Sequence, residues 1–267
     1  MWIAVALGVL IGAIMGVMGA GGGILAVPVL VAGLHWSMQQ AAPVALVAVA
    51  AGAVVGAVDG FRHRLVRYKA AALMAVCGIP MTRVGQELAH ALPQSVLMGG
   101  FAVLMLLVAR RFYKQALKAP GASDDVLYLA FINEATGKFI WTPVTAMVLG
   151  GIGVFTGLMT GLLGVGGGFL IVPLMRRFTN LSLAGIVATS LFLISMVSTG
   201  GVISAVLTGA TLPLVETSLF VMAMVSGMLV GRHFSRRLNP QQVQLGFAFL
   251  LVGLSLYMLG KAWAALN

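Results

Sequence analysis

The sequence predicts an all-α polytopic integral membrane protein built from two homologous four-segment halves. The halves are arranged as inverted repeats, and each opens on a glycine-broken helix. Composition, segment length and an internal repeat lead there. Of the 267 residues, 60% are apolar and only 8% charged, against about 45–50% and about 25% in soluble chains. So few charges cannot cover a water-facing surface. A helix needs roughly 20 apolar residues to cross about 30 Å of hydrocarbon, so the chain has room for about seven or eight crossings and no separate soluble domain. The opening Met1-Trp2-Ile3-Ala4 has no basic stretch, which predicts a structural first segment rather than a cleaved signal peptide.

The repeat is read directly. Gly12 to Pro28 runs GAIMGVMGAGGGILAVP, and Gly157 to Pro173 runs GLMTGLLGVGGGFLIVP, at an offset of 145. Pro93, Gln94, Val96 and Gly99 return as Pro240, Gln241, Val243 and Gly246 at an offset of 147. Such matched spacing indicates a tandem duplication. The first repeat covers 1–112, a polar linker 113–142 and the second repeat 143–267. Together they form one membrane domain.

Four apolar stretches fall in each half: 2–34, 41–58, 70–91 and 94–112, then 143–175, 183–207, 212–231 and 241–264. The linker carries Lys114, Lys118, Pro120, Gly121, Asp124, Asp125, Asn133, Glu134 and Lys138. Its apolar run from Val126 to Ile132 is too short to span and reads as an interfacial helix. The first stretch of each half is long and interrupted by Gly19 with Gly21, Gly22 and Gly23, or by Gly164 with Gly166, Gly167 and Gly168. Glycine costs about 1 kcal/mol per helical position relative to alanine, so both stretches are expected to break into two half-helices. Unwound backbone at membrane depth survives only inside protein or against a water-filled cavity.

Charge decides between topologies. If each broken stretch enters and leaves on one face, Arg62, Arg64, Arg67, Lys69, Arg110, Arg111, Lys114, Lys118, Lys138, Arg176, Arg177, Arg232, Arg236 and Arg237 share the linker side. Lys261 alone faces them. If every stretch simply crosses, the bias largely disappears, so the positive-inside rule prefers the hairpins. This choice inverts the second half and sets both ends of the chain on the face opposite the linker. The first leg of each hairpin is itself long enough to cross, which keeps the plain eight-span path as the alternative.

The net charge of +10 has the same origin: basic loops held on one side face anionic lipid, and nucleic acid is not an expected partner. Cys77 is the only cysteine, which excludes an intrachain disulfide and a thiolate metal site. Neither glycine string has the ending of a P-loop or the acidic partner of a dinucleotide fold. What the strings offer is backbone N–H at the start of a half-helix, a setting that favours an anion. Discontinuous helices from two inverted repeats are also the plan of secondary transporters. Gly12 with Gly16, and Gly157 with Gly161, have the spacing of close helix packing.

The duplicated G-x-x-x-G-x-x-G-x-GGG-x-x-x-x-P element, followed by Ala188-Thr189-Ser190, resembles the sulfite exporter TauE/SafE family over essentially the whole chain. The resemblance implies a permease of the bacterial inner membrane for sulfur oxyanions or organosulfonates. The matching elements are the two glycine strings, Pro28, Pro173 and Thr189 with Ser190, and the resemblance implies substrate contact at the glycines and at Thr189 and Ser190. The first half departs from the pattern, reading Ala42-Pro43-Val44-Ala45 where hydroxyls are expected.

Arg83 joins the candidates because an arginine at mid-span costs roughly 2.5–3.5 kcal/mol. It reads as a forked ligand for a sulfonate, as an i,i+4 partner of Glu87, or as a snorkelling side chain. Glu87 is a candidate for proton coupling through the same pair. Ser195, Ser198 and Thr199 read as helix glue, Asp59 and Glu216 as solvated span ends, and His35, His63, His90 and His233 as interfacial. The functional expectation is a secondary transporter, not an enzyme, for a small sulfur-containing anion, working by alternating access with no cofactor and no metal. Membrane lipid is the expected surround, and a homo-oligomer is compatible with the sequence. A passive anion channel and an intramembrane redox or enzymatic module are the alternatives. The latter lacks clustered titratable groups.

Overall fold

A computed structural model describes residues 2–117, 127–133, 138–209, 213–235 and 238–264. Helix α1 (Trp2–Met18) passes into a 3-10 segment (Gly19–Leu25) and α2 (Ala26–Gly33). Then follow α3 (Met38–Arg62), α4 (Tyr68–Ala91), α5 (Gln94–Leu117), the strands β1 (Ile132–Asn133) and β2 (Lys138–Phe139), and α6 (Pro143–Leu163). The chain ends in α7 (Gly168–Phe178), α8 (Leu183–Leu207), α9 (Leu214–Ser235) and α10 (Pro240–Ala264). Among the described residues, seven helical segments are long and apolar enough to cross a membrane, Trp2–Gly33 counting as one. Helix α4, with Arg83, Glu87 and His90, is not among them.

Local chemistry sets the helix starts. Ser37 Oγ accepts from the Gln40 N–H and Gln40 Oε1 from the Ser37 N–H, both at 3.2 Å. This reciprocal cap satisfies two N–H groups that α3 leaves unpaired. Ser182, 145 positions later, caps α8 by accepting from Gly185 N–H at 3.3 Å. Thr142 caps α6, with Pro143 as its first residue, where a missing N–H costs nothing. Gly164 ends α6 in the left-handed region at φ 71°, a conformation that glycine adopts without a Cβ penalty.

The expected interfacial helix over 126–132 does not form in its described part. Residues 127–133 are extended along the end of α7: Leu127 N–H donates to Arg177 O and Leu129 and Ala130 N–H to Phe178 O, each at 3.0 Å. Ile132 N–H reaches Asn180 Oδ1 at 2.8 Å. The backbone groups of this apolar run find partners on a neighbouring segment, which a run too short for a stable helix cannot supply itself. Val126, Lys118, Pro120, Gly121, Asp124, Asp125, Glu134, Arg236 and Arg237 lie outside the described residues.

The helices pack in matched pairs: α1 along α9, α4 along α6, α3 along α8 and α5 along α10. Two of the seams are made of glycine. A Cβ at Gly12 would collide with the Met224 backbone, one at Gly16 with the Met228 carbonyl and one at Gly231 with the Ala13 backbone. At the second seam Gly157 meets Gly78, Gly161 meets Thr82 and Gly85 meets Leu158. Residue numbers rise together along both seams, so α1 runs parallel to α9 and α4 parallel to α6. Small residues let backbones approach this closely and gain dispersion contacts where lipid gives no hydrophobic drive. Along α3 and α8 the numbers run oppositely, Gly60 meeting Ala188 and Gly56 meeting Leu191. Helix α2 folds back beside α1, since a Cβ at Gly33 would strike the Leu7 side chain.

Candidate functional site

Both glycine segments meet at the centre of the helix bundle. A Cβ at Gly168 would collide with the Ala20 carbonyl, and one at Gly23 would lie 3.4 Å from Val165 O. The two segments differ in backbone: in the first, only Gly19 has positive φ, 69°, whereas in the second Gly164, Gly166 and Gly167 do, at 71°, 69° and 64°. Around them Ile24, Leu25, Leu30, Val49 and Ile194 are buried, so polar groups here act in a medium of low dielectric.

A cavity of about 980 Å³ reaches this centre, touching Gly19, Gly21, Phe169 and Pro173. Its wall carries Arg110, Arg111 and Lys114 on α5, Arg176 and Arg177 on α7 and Arg232 on α9, and none of its described lining residues is acidic. Guanidinium, ammonium and glycine N–H groups are donors: they suit an anion and repel a metal cation. The remaining wall is largely aliphatic, with Leu104, Val108, Leu170, Val187 and Leu191. Arg232 pairs across to Asp59 of α3, and His63 Nδ1 lies 3.6 Å from the same carboxylate. Asp59 is thus an interhelix partner rather than a merely solvated span end; with the two 173 positions apart, nothing in the local pattern signals the contact.

A second, small cavity of about 50 Å³ is lined by Met38, Ala42, Leu46, Gln86, Leu97 and Gly161, among others. These stand 145 to 147 positions from Leu183, Val187, Leu191, Arg232, Gln244 and Gly16 of the large cavity. The register between α4 and α9 follows from the seams: Met224 meets Gly12 as Gly78 meets Gly157, and Met228 meets Gly16 as Thr82 meets Gly161. On that register Gln86 corresponds to Arg232. Corresponding positions of the two halves thus line one cavity of about 980 Å³ and one of about 50 Å³.

The remaining candidates separate. Gly22 is packed on the Met15 backbone, and Gly164, Gly166, Gly167 and Gly168 are buried and do not line the cavity. Thr189 is committed elsewhere: its Oγ1 accepts from the Arg67 N–H at 3.0 Å and ties α8 to the segment before α4. Ser190 Oγ is buried with no hydrogen-bond partner among the described residues, as is Ser198 Oγ; a Cβ at Gly166 would lie 3.0 Å from the Ser198 hydroxyl. Sequence spacing had given Ser198 no distinction from its hydroxyl neighbours. Thr156 and Thr160 donate to the carbonyls of Ile152 and Thr156, at 2.6 and 2.8 Å, the usual habit of membrane hydroxyls. Arg83 is not among the residues lining either cavity. Its Nε donates to Glu87 Oε1 at 3.2 Å, with both side chains more than 60% exposed.

The family model of the sulfite exporter TauE/SafE matches residues 4–258, and the chain belongs to that family. It is 25% identical over 269 residues to a probable membrane transporter protein of Xylella fastidiosa, covering 97% of this chain and 95% of the relative. It is 24% identical to the probable membrane transporter protein YunE of Bacillus subtilis, with the same coverage. Probable membrane transporter protein MamO of Magnetospirillum gryphiswaldense is 26% identical, covering 91% of this chain but 42% of that protein. No solved structure matches. The protein is therefore a multi-pass membrane protein of a transporter family.

Proposed function

We propose that this TauE/SafE family protein is a secondary transporter for a small sulfur-containing anion, sulfite or an organosulfonate, in the bacterial inner membrane. The single observation behind this reading is the pair of cavities built from corresponding positions, one ample and lined by six cations, the other nearly shut. A carrier that exposes one central site to either face in turn needs two equivalent access routes, of which one is closed at a time. A passive channel needs both routes open together.

The two halves, 1–112 and 143–267, act as inverted repeats on this reading. Parallel packing of α1 on α9 and of α4 on α6, with α3 antiparallel to α8, supports it: such exchange of corresponding elements is what a two-fold axis produces. Following each crossing in turn brings the described basic side chains at the ends of α3, α5, α7 and α9 to the linker face, which the positive-inside rule makes cytoplasmic. The large cavity then opens inward. Substrate binds between the basic wall and the first glycine string, with Gly19 and Gly21 nearest. On this reading Ser190, whose buried hydroxyl has no partner among the described residues, is a further donor, and Phe169 in the first turn of α7 borders the same cavity.

Counterflow in proteoliposomes tests this. Unlabelled sulfite is loaded inside, labelled sulfite added outside, and sulfate, sulfoacetate, an aromatic sulfonate and acetate compete. Saturable, transient accumulation of label inhibited by sulfur anions and not by acetate is the expected result. Flux without counterflow would make the protein a channel, and no flux of any sulfur anion would remove the substrate assignment. A reporter fused after Asn267 is expected to lie on the periplasmic side; a cytoplasmic signal would restore the plain eight-span path.

A further inference from the structure

We infer that the two access routes differ electrostatically, so that the linker-face cavity is a capture site giving that face the tighter apparent affinity for the anion. Arg110 and Arg177, which have neutral counterparts in the other half, carry the difference, while Arg232, paired to Asp59, and Gln86 hold matched places where an exchange of charge can alter it. The inference rests on the transport reading above and adds to it a sidedness that duplication alone does not require.

Corresponding positions carry different charge. Arg176 and Arg177 fall where the first half has Val31 and Ala32, and Arg110 and Arg111 where the second half has Tyr257 and Met258; only Lys114 keeps a cation, Lys261. At the mouths, Arg232 reaches Asp59 on α3, and Gln86 Nε2 donates to Gly201 O on α8 at 2.8 Å. Each side chain therefore bridges to the neighbouring central helix from an equivalent place, one through an ion pair that is neutral in sum and one through a neutral amide, so the charge difference between the cavities lies at positions such as Arg110 and Arg177. Asp59 and His63 are the titratable groups beside Arg232. The small cavity is lined by neutral side chains and His90.

A concave cavity with low-dielectric walls focuses the field of the charges that line it, which raises local counter-ion concentration and on-rates by about 10- to 1,000-fold. Charges exposed in such a cavity are screened over a Debye length of about 8 Å at physiological ionic strength. Two consequences follow for an anion. Its KM from the linker face is lower than from the other, and only the linker-face KM climbs steeply with salt. An uncoupled carrier must keep Vmax/KM equal in the two directions, so the low-KM face also shows the lower Vmax.

Right-side-out and inverted membrane vesicles, each given labelled sulfite at low and high ionic strength, supply the test. The linker face is expected to show a KM on the order of tenfold lower at low salt, with the difference shrinking at high salt. Exchanging the matched residues, Arg232→Gln with Gln86→Arg, should narrow the gap; Arg110→Gln with Lys114→Gln, at exposed ends of α5, is the second variant should the exchange fail to fold. Equal KM and equal salt dependence from both faces, with saturable flux intact, would overturn the capture site while leaving the transporter reading standing. Absence of saturable flux from either face would overturn both.

Discussion

The strings GAGGG at 19–23 and GVGGG at 164–168 share four glycines and take different backbones. The first coils as a 3-10 segment continuous with α2, with a single left-handed residue, and it borders the cavity. The second has three left-handed residues, interrupts the chain between α6 and α7, and is sealed by Ala42, Val49, Thr156 and Ile194. Glycine permits a break without dictating its form; the neighbours that crowd each position select it. The first string borders the cavity at Gly19 and Gly21, and the second is fixed by packing.

Alanine separates the two most sharply at Gly167 and Gly21. At Gly167, a Cβ must enter the left-handed region, costing about 1–2 kcal/mol, and would also press into the Thr156 side chain, adding about 1–3 kcal/mol of overpacking. Gly167→Ala is expected to lower stability by about 2–4 kcal/mol, read as an early loss in thermal unfolding in detergent. At Gly21 the nearest atom to a new Cβ is Phe112 Cζ at 3.6 Å, and φ is not positive. Gly21→Ala should leave unfolding unchanged or stabilise by up to about 1 kcal/mol, while raising KM for sulfite because its methyl borders the cavity. Equal destabilisation by both variants would erase the distinction between the strings.

A finer contrast lies in two adjacent hydroxyls. Thr189 is used structurally and Ser190 is not. Thr189→Val leaves the Arg67 N–H unpaired and should cost about 1–3 kcal/mol. Ser190→Ala removes a buried hydroxyl that has no hydrogen-bond partner among the described residues, so stability should hold or rise while the affinity for sulfite falls. A variant of Ser190 with native transport would withdraw it from the site and leave the basic wall and Gly21.

How far the sequence carries this picture depends on the range of each contact. The apolar segments, the Ser37 and Ser182 caps and the Arg83–Glu87 spacing are local patterns and can be read residue by residue. The Asp59–Arg232 pair, the tie from Thr189 to Arg67 and the approach of Ser198 to Gly166 join distant segments, so spacing is silent about them. Residues 127–132 misled for a related reason: an apolar run carries no signal that its hydrogen bonds go to Arg177, Phe178 and Asn180 on the end of α7. The cation-lined wall is intermediate. Arg110, Arg111, Arg176 and Arg177 are visible as loop-end charge, but that they face one cavity with Gly21 emerges only once α5 and α7 are seen to converge.

The smallest effect is expected at Arg83, the residue that composition alone marks most strongly. An arginine in an apolar helix reads as costly and hence as functional, but that cost applies to a charge at the bilayer centre. Here the guanidinium lies on the outside of the helix bundle, about two turns from the end of α4 at Ala91, and is partnered by Glu87 one turn along, a pair of a kind worth about 0.2–0.5 kcal/mol. Arg83→Lys keeps the charge and the spacing while losing the fork that a sulfonate ligand would need. Unfolding should shift by less than about 0.5 kcal/mol, and KM for sulfite should stay within twofold of wild type, roughly 0.4 kcal/mol. A tenfold or larger rise in KM with unfolding unchanged would bring Arg83 back into substrate contact, and would mean that α4 moves towards the glycine segments at some step of the transport cycle.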